Sequence, residues 1–456
     1  MSNYAADEAR PARAVPSGSD LYRAVWRWHF YAGLLVLPFL VSLAVTGALY
    51  LFRDGIDAII HAGLKTVAVP AEAKALSASH LIEAALSAHP GTVVKFTTPA
   101  TRTASAEVTI AAEDGARLAV YVDPYSGRVL GTLPDRGTIM WTIRQLHSLE
   151  FFGPIGRGLI ELAGGWSILL VATGLYLWWP RSGSRAFALR GAPRHRLFWR
   201  DLHAVLGFSV AGFILFLAIT GMPWSILWGA KVNEWANGSN FGYPAGVRVA
   251  VPMSGEHLHH LAPTSWSLEQ AQMPSSTSSA GADRPITLDD AMVIFARLDL
   301  APGFTVNLPT SPTGVYTASV YPDDLSQQRV VHLDQYTGEP LIDMSFADYG
   351  PLGKALEWGI NVHMGQEFGR ANQVILALVC LGIIALALSA AVMWWKRRPH
   401  GSLGIPPDPA DPRVFRGVLL CLAIGGIIFP LVGLSLLVIG LLDWLGTRVW
   451  RRATPA

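Results

Sequence analysis

The 456-residue chain reads as an α-helical integral membrane bundle of about five spans, with two outer α+β domains, built as an internal parallel duplication. Three observations predict this. The composition is 51% hydrophobic and 15% charged, with a mean hydropathy of +0.35, far from the balance of a wholly soluble protein. Five apolar runs are long enough to cross hydrocarbon about 30 Å thick, which takes about 20 residues. And the histidine opening the first run is repeated at the third, each followed at the same distance by a Thr-Gly pair: His29 with Thr46-Gly47, and His203 with Thr220-Gly221.

Residues 1–20 form a polar leader expected to be disordered. Span 1 occupies 21–57 around the run Phe30–Phe52; it is too long and too far from the start for a cleaved signal peptide. Arg10, Arg13, Arg23 and Arg27 precede it, so the positive-inside rule puts the N-terminus in the cytoplasm. The first outer domain, 65–135, has helical spacing over Ser79–Ala88 and alternation over Val93–Thr97, Glu107–Ala111 and Arg117–Val122. Span 2 with an outer helical approach, 138–180, contains the run Leu159–Trp179, whose one charge is Glu161. The loop 181–200 carries Arg181, Arg185, Arg190, Arg194, Arg196 and Arg200, so it is cytoplasmic by the same rule.

Span 3 takes 201–230 around Ala204–Ala230, and an insertion rich in Trp, Pro and Ser follows over 231–285. Within it Ser275–Gly281 reads as a flexible linker. The second outer domain, 286–345, repeats the plan, with a helix over Leu288–Leu298 and strands near Thr305–Leu308, Val315–Tyr321 and Arg329–Leu333. Span 4 with its approach covers 350–396 around Val374–Trp395; the loop 397–415 follows, with Lys396, Arg397, Arg398, Arg413 and Arg416 marking a cytoplasmic side. Span 5, 416–445, holds the run Gly417–Leu442 before a tail, 446–456. Arg448, Arg451 and Arg452 dissent from a single crossing, and a hairpin broken at Pro430 is the alternative; one crossing is expected.

The duplication rests on local matches. Val122-Asp123-Pro124-Tyr125-Ser126-Gly127 stands against Leu333-Asp334-Gln335-Tyr336-Thr337-Gly338, a turn in which glycine supplies positive φ. Leu146-His147-Ser148-Leu149-Glu150-Phe151-Phe152-Gly153 stands against Val362-His363-Met364-Gly365-Gln366-Glu367-Phe368-Gly369, and the spans that follow end in Trp178-Trp179 and Trp394-Trp395. Both units enter the membrane from one side, so the repeats are parallel, related by a pseudo-two-fold axis along the membrane normal.

That axis pairs His29 with His203 at the cytoplasmic ends and His147 with His363 at the outer approaches. A lone interfacial histidine is more often a snorkelling or structural residue. Four in duplicated motifs, falling into two same-depth pairs, match the axial ligands of two b-type haems held between helices. Ala32, Gly33, Ala204 and Gly207 beside the ligands would leave room for a flat macrocycle. Zinc would want a compact ligand set; His257-Leu258-His259-His260 is the one candidate, and it reads as a solvated loop. His61, His80, His89, His195, His332 and His400 have no repeated partner and read as structural or solvated residues. Glu161 is either a polar group buried against a partner or part of a proton or quinone site. Cys380 and Cys421 fall inside spans and cannot staple the outer domains. Covalent-haem, Walker A and dinucleotide motifs are missing and the cytoplasmic loops are too short for a nicotinamide or flavin domain, so electrons come from a separate donor.

Over residues 21–445 the chain resembles the PepSY-associated transmembrane proteins, also described as iron-regulated or iron-uptake-associated inner-membrane proteins, and among them the ferrisiderophore reductases of the ferrioxamine reductase kind. The span-one and span-three histidine motifs, the His-x-x-[Glu/Gln]-x-Phe-Gly segments and the Asp-x-Tyr-[Ser/Thr]-Gly turns carry the resemblance. It implies two PepSY-like periplasmic domains, a bacterial inner-membrane location, two haem b on His29, His203, His147 and His363, and an enzyme that reduces ferric iron in a siderophore. The expected partners are a ferric siderophore, an unidentified cytoplasmic or quinol electron donor and the lipid bilayer, with no nucleic acid. Trp235, Tyr243 and Trp266 are candidate siderophore contacts, although ordinary packing explains each singly. The competing readings are a non-enzymatic PepSY membrane protein that regulates a peptidase or senses envelope ligands, and a quinol-linked cytochrome b with another periplasmic acceptor.

Overall fold

The computed structural model describes residues 18–72, 74–179, 187–238, 251–258, 262, 264–269, 271–277, 284–407 and 411–453. Four helices are long and apolar enough to cross a membrane, over Asp20–Tyr50, Glu150–Trp178, Arg196–Trp224 and Gly369–Arg397. The chain divides into two compact units, one of residues 1–41, 162–218 and 382–456 and the other of residues 42–161 and 219–381.

In the first unit, the start of α1 (Gly18–Tyr50) and most of α6 (Gly153–Trp178) meet a C-terminal pair, α12 (Pro412–Ile428) and α13 (Pro430–Ala453). Trp28, Ala32 and Val36 pack with Ala163, Trp166, Leu422, Val432 and Leu436, and Trp166 Nε1 donates to Ser435 Oγ at 2.8 Å. The single helix expected over Gly417–Leu442 is corrected here. Proline cannot donate the helical hydrogen bond and clashes with the preceding turn, so the run breaks at Phe429-Pro430 and doubles back. Gly426 and Gly433 then touch backbone to backbone: a Cβ on Gly426 would lie 2.6 Å from Gly433 Cα. Small residues permit this approach between apolar helices. The other two helices, α7 (Arg196–Gly221) and α11 (Gly369–Arg397), pack on each other through Gly207 against Leu386 and Gly382 against Val210.

The second unit holds one antiparallel sheet of eight strands in the order β10-β9-β8-β7-β1-β2-β3-β4. Its strands are β1 Thr92–Thr97, β2 Ala106–Ala111, β3 Arg117–Val122, β4 Val129–Pro134, β7 Thr305–Asn307, β8 Val315–Val320, β9 Arg329–Asp334 and β10 Pro340–Ser345. Two separate outer domains were expected. Instead the two segments join through β1 and β7, which pair Lys95 with Asn307, Phe96 with Val306 and Thr97 with Thr305. Helices α4 (Ala78–Ala88) and α9 (Leu288–Arg297) bury Leu81, Ala85, Ala291 and Phe295 in one core with Phe96, Val108, Val306 and Val331.

Both closing turns form as their sequences demand. Asp123 accepts from Tyr125 N at 2.9 Å and Asp334 from Tyr336 N at 2.8 Å, with Gly127 and Gly338 at φ +71° and +73°. The insertion's described part packs Leu258, Leu268 and Met273 against Val315, Val330 and Ile342. The linker expected over Ser275–Gly281 is fixed at its start, because Ser276 is buried and its hydroxyl donates to Gly314 O at 2.6 Å. Residues 278–281 lie outside the described residues.

Candidate functional site: two histidine pairs

His29 stands on α1 and its Nδ1 lies 2.8 Å from Thr173 Oγ1 of α6. His203 stands on α7 and its Nδ1 lies 3.2 Å from both Leu386 O and Ser389 Oγ of α11. A small cavity beside His29 is lined by Trp28, Ala32, Trp166, Leu169, Thr173 and Leu422. Trp28 Nε1 is buried there with no hydrogen-bond partner among the described residues. Of the small residues expected to give space, Ala32 lines this cavity, Gly33 has open space beside it, and Gly207 is taken up by packing on Leu386.

The other pair is built on two helix ends. His147 is the last residue of α5 (Ile139–His147) and His363 the last of α10 (Pro351–His363). A residue at positive φ follows each, Leu149 at +52° and Gly365 at +76°, and α6 and α11 then begin at Gly153 and Gly369, both at +56°. The two rings face each other with centroids 6.4 Å apart and planes at 89°. Thr46 Oγ1 lies 2.9 Å from His147 Nδ1, and Thr220 Oγ1 lies 2.8 Å from His363 Nδ1. Burial lowers both imidazoles, His147 to about 4 and His363 to about 3, and at His363 the cost of a second positive ring beside His147 adds to the fall.

This donor set suits a haem better than a bare ion. Among the described residues no group of three or more His, Cys, Asp or Glu is placed to hold a metal ion. A macrocycle supplies the equatorial ligands itself and asks the protein for two axial nitrogens. Two imidazoles joined through one metal by bonds of roughly 2 Å have centres roughly 6 Å apart, close to the separation of His147 and His363. In all four rings the hydrogen bonds found are at Nδ1, so Nε2 is the nitrogen that could serve a metal.

The remaining candidates take other places. Glu161 is buried, with Oε2 accepting from Leu227 N at 2.7 Å at the start of α8 (Leu227–Gly238) and Oε1 without a hydrogen-bond partner among the described residues. Trp266 is buried, and its Nε1 donates to Pro223 O at 3.2 Å, so it is a packing residue and not a surface contact. Trp235 is half exposed on α8 beside Trp228 and Lys231. Tyr243, His259 and His260 lie outside the described residues. His332 is buried in the sheet with its Nδ1 2.8 Å from Thr317 Oγ1 and serves the core. Sequence reasoning noticed the Thr-Gly pairs without giving them a role, and it missed Thr173 and Ser389. Their signal is position: each hydroxyl stands five residues before a Trp pair.

No curated protein matches the chain. The family model described as the PepSY-associated TM region matches residues 26–397, most of the chain and all four histidines, and this protein therefore belongs to the PepSY-associated transmembrane family.

Proposed function

We propose that the protein is a di-haem inner-membrane reductase that passes electrons across the bilayer to ferric iron held in a siderophore. The observation that carries the reading is the pair His147 and His363, two neutral imidazoles facing each other at 6.4 Å with their Nδ1 atoms already engaged. The mirrored strand order about β1 and β7 and the repeated histidine surroundings support an internal duplication. The arginines before span 1 and in the loop 181–200 support a cytoplasmic N-terminus and a periplasmic sheet.

Bound haem would supply one-electron chemistry at each pair. The chain's own residues hold it: His29 and His203 at the side of the donor, His147 and His363 at the side of the acceptor. Their apolar surroundings exclude water from the iron, and the neutral rings keep a lone pair available at Nε2. One electron turns Fe(III) into Fe(II), which hard oxygen chelators hold less firmly, so the metal is loosened while the chelator stays intact.

The test is spectroscopic. Protein purified after expression with adequate haem should show a Soret band and two haems per chain by pyridine haemochrome. Adding a ferric siderophore to the reduced protein should reoxidise the haem. No Soret band removes the conduit and favours a regulatory or sensing membrane protein. Haem that is reoxidised by other acceptors and not by ferric siderophores favours a quinol-linked cytochrome b.

A further inference from the structure

We propose that Thr46-Gly47, Thr173-Gly174 and Thr220-Gly221 are two-part clamps, positioning residues in which the hydroxyl fixes the tautomer of a histidine and the missing Cβ sets how deeply its ring sits. Ser389-Ala390 is a weaker fourth version. The haem consequence rests on the proposed function; the tautomer is a property of the chain alone.

The argument is a count of protons. A hydroxyl has one hydrogen to give. Thr46 donates it to Ser42 O at 2.6 Å, Thr173 to Leu169 O at 2.8 Å and Ser389 to Leu386 O at 2.7 Å. Towards the imidazole each can therefore only accept, so Nδ1 must carry the proton and Nε2 the lone pair. That is the tautomer an axial ligand needs, selected before any ligand arrives. Thr220 makes the corresponding contact with His363.

The glycines complete the clamp. A Cβ on Gly47 would lie 3.3 Å from His147 Cε1, one on Gly174 3.3 Å from His29 Cε1, and one on Gly221 3.6 Å from His363 Cε1. Cε1 sits between the two ring nitrogens, so a methyl group at Gly47 or Gly174 would crowd its ring, whereas one at Gly221 would rest in ordinary contact with His363. At His203 the next residue is Ala390, and the ring shares its proton between a hydroxyl and the Leu386 carbonyl, both at 3.2 Å. A backbone carbonyl survives side-chain substitution. His147 likewise keeps a backbone partner in the Leu43 carbonyl, so the hydroxyls of Ser389 and Thr46 should matter less than those of Thr173 and Thr220.

Two measurements on the full chain test this. In protein purified without haem and labelled with ¹⁵N-histidine, the ring shifts of His29, His147 and His363 should report protonated Nδ1. Thr173→Val should move His29 towards protonated Nε2, and Thr173→Ser should restore it. In haem-loaded protein, Thr173→Val and Thr220→Val should each shift the midpoint potential of one haem while both stay bound, with Thr46→Val and Ser389→Ala shifting it less. Gly47→Ala should weaken haem at one pair by about tenfold. Wild-type rings protonated at Nε2, or a His29 ring unchanged in tautomer in Thr173→Val, overturn the proposal. Rings with the expected tautomer in a chain that never binds haem would sustain the clamps and remove the electron conduit.

Discussion

The approaches at His147 and His363 follow one path with different residues at its hardest point. Each helix ends at the histidine, and two residues later the backbone turns into the left-handed region. In the second approach that position is Gly365, which has no steric penalty at φ +76°. In the first it is Leu149 at +52°, where a side chain costs about 1–2 kcal/mol. The surroundings explain the exchange. A Cβ on Gly365 would meet Leu51 Cδ2 at 2.7 Å and Gln373 Cγ at 3.3 Å, so a side chain there would have to displace its neighbours. At Leu149 the room is made by Gly156, where a Cβ would lie 2.1 Å from the Leu149 carbonyl oxygen. The two copies keep the same geometry and spend their glycines differently. Ring placement is therefore the shared requirement, and the residue that achieves it is open to drift.

The largest expected effect tests whether the approaches are two halves of one site. His147→Ala and His363→Ala should each remove about one haem of two, measured by pyridine haemochrome. Unequal losses would mean that one histidine ligates without the other. Next comes the reciprocal exchange at the turn. Gly365→Leu should destabilise by roughly 3 kcal/mol, combining left-handed strain with the collision at Leu51. Leu149→Gly should stay within about 1 kcal/mol of neutral, because relief of strain offsets the added freedom of the unfolded chain. Thermal melts of the two variants check both, and equal losses would break the comparison.

The smallest effect is electrostatic. Burial pushes Glu269 up to about 7, against the pull of Arg144 on α5 and Arg157 on α6, and Glu357 of α10 adds to the rise. A carboxyl raised in the folded state favours the protonated form, so its contribution is intact below the ordinary carboxylate range and is lost as pH rises towards 7. Glu269→Gln should therefore raise stability by roughly 1 kcal/mol at pH 8, residual solvent at this partly buried position screening part of the shift, and leave it nearly unchanged at pH 4. A melting temperature that responds equally at both values would place the charge elsewhere.

Local order was the legible part of the chain. Alternation over Arg117–Val122 and the turn at Asp123-Gly127 need only neighbouring residues, and the structure has strand and turn there. The four histidines could be singled out because duplication writes each motif twice. What stayed hidden depends on partners far along the chain. The seam between β1 and β7 is a pairing over two hundred residues, and nothing in Val93–Thr97 distinguishes an outer strand from a central one. Thr173 was invisible because a threonine inside an apolar run is common, and its meaning comes from His29 on another helix. The sequence alone does not choose the hairpin at Pro430 over a single crossing, since the close approach of Gly426 and Gly433 emerges only when the helices fold together.

That seam also sets an order of assembly. Ribosomes add residues one after another, so β1 is made long before Thr305–Asn307, its partner, leaves the tunnel. Until then the β1 side of the first four strands is an open template, with backbone groups ready to pair with any passing extended segment. Such non-local pairing is intrinsically slow, because a long loop must close before the contact rewards it. During synthesis this half-built sheet is the protein's most aggregation-exposed surface, and a protective chaperone would have its greatest effect there.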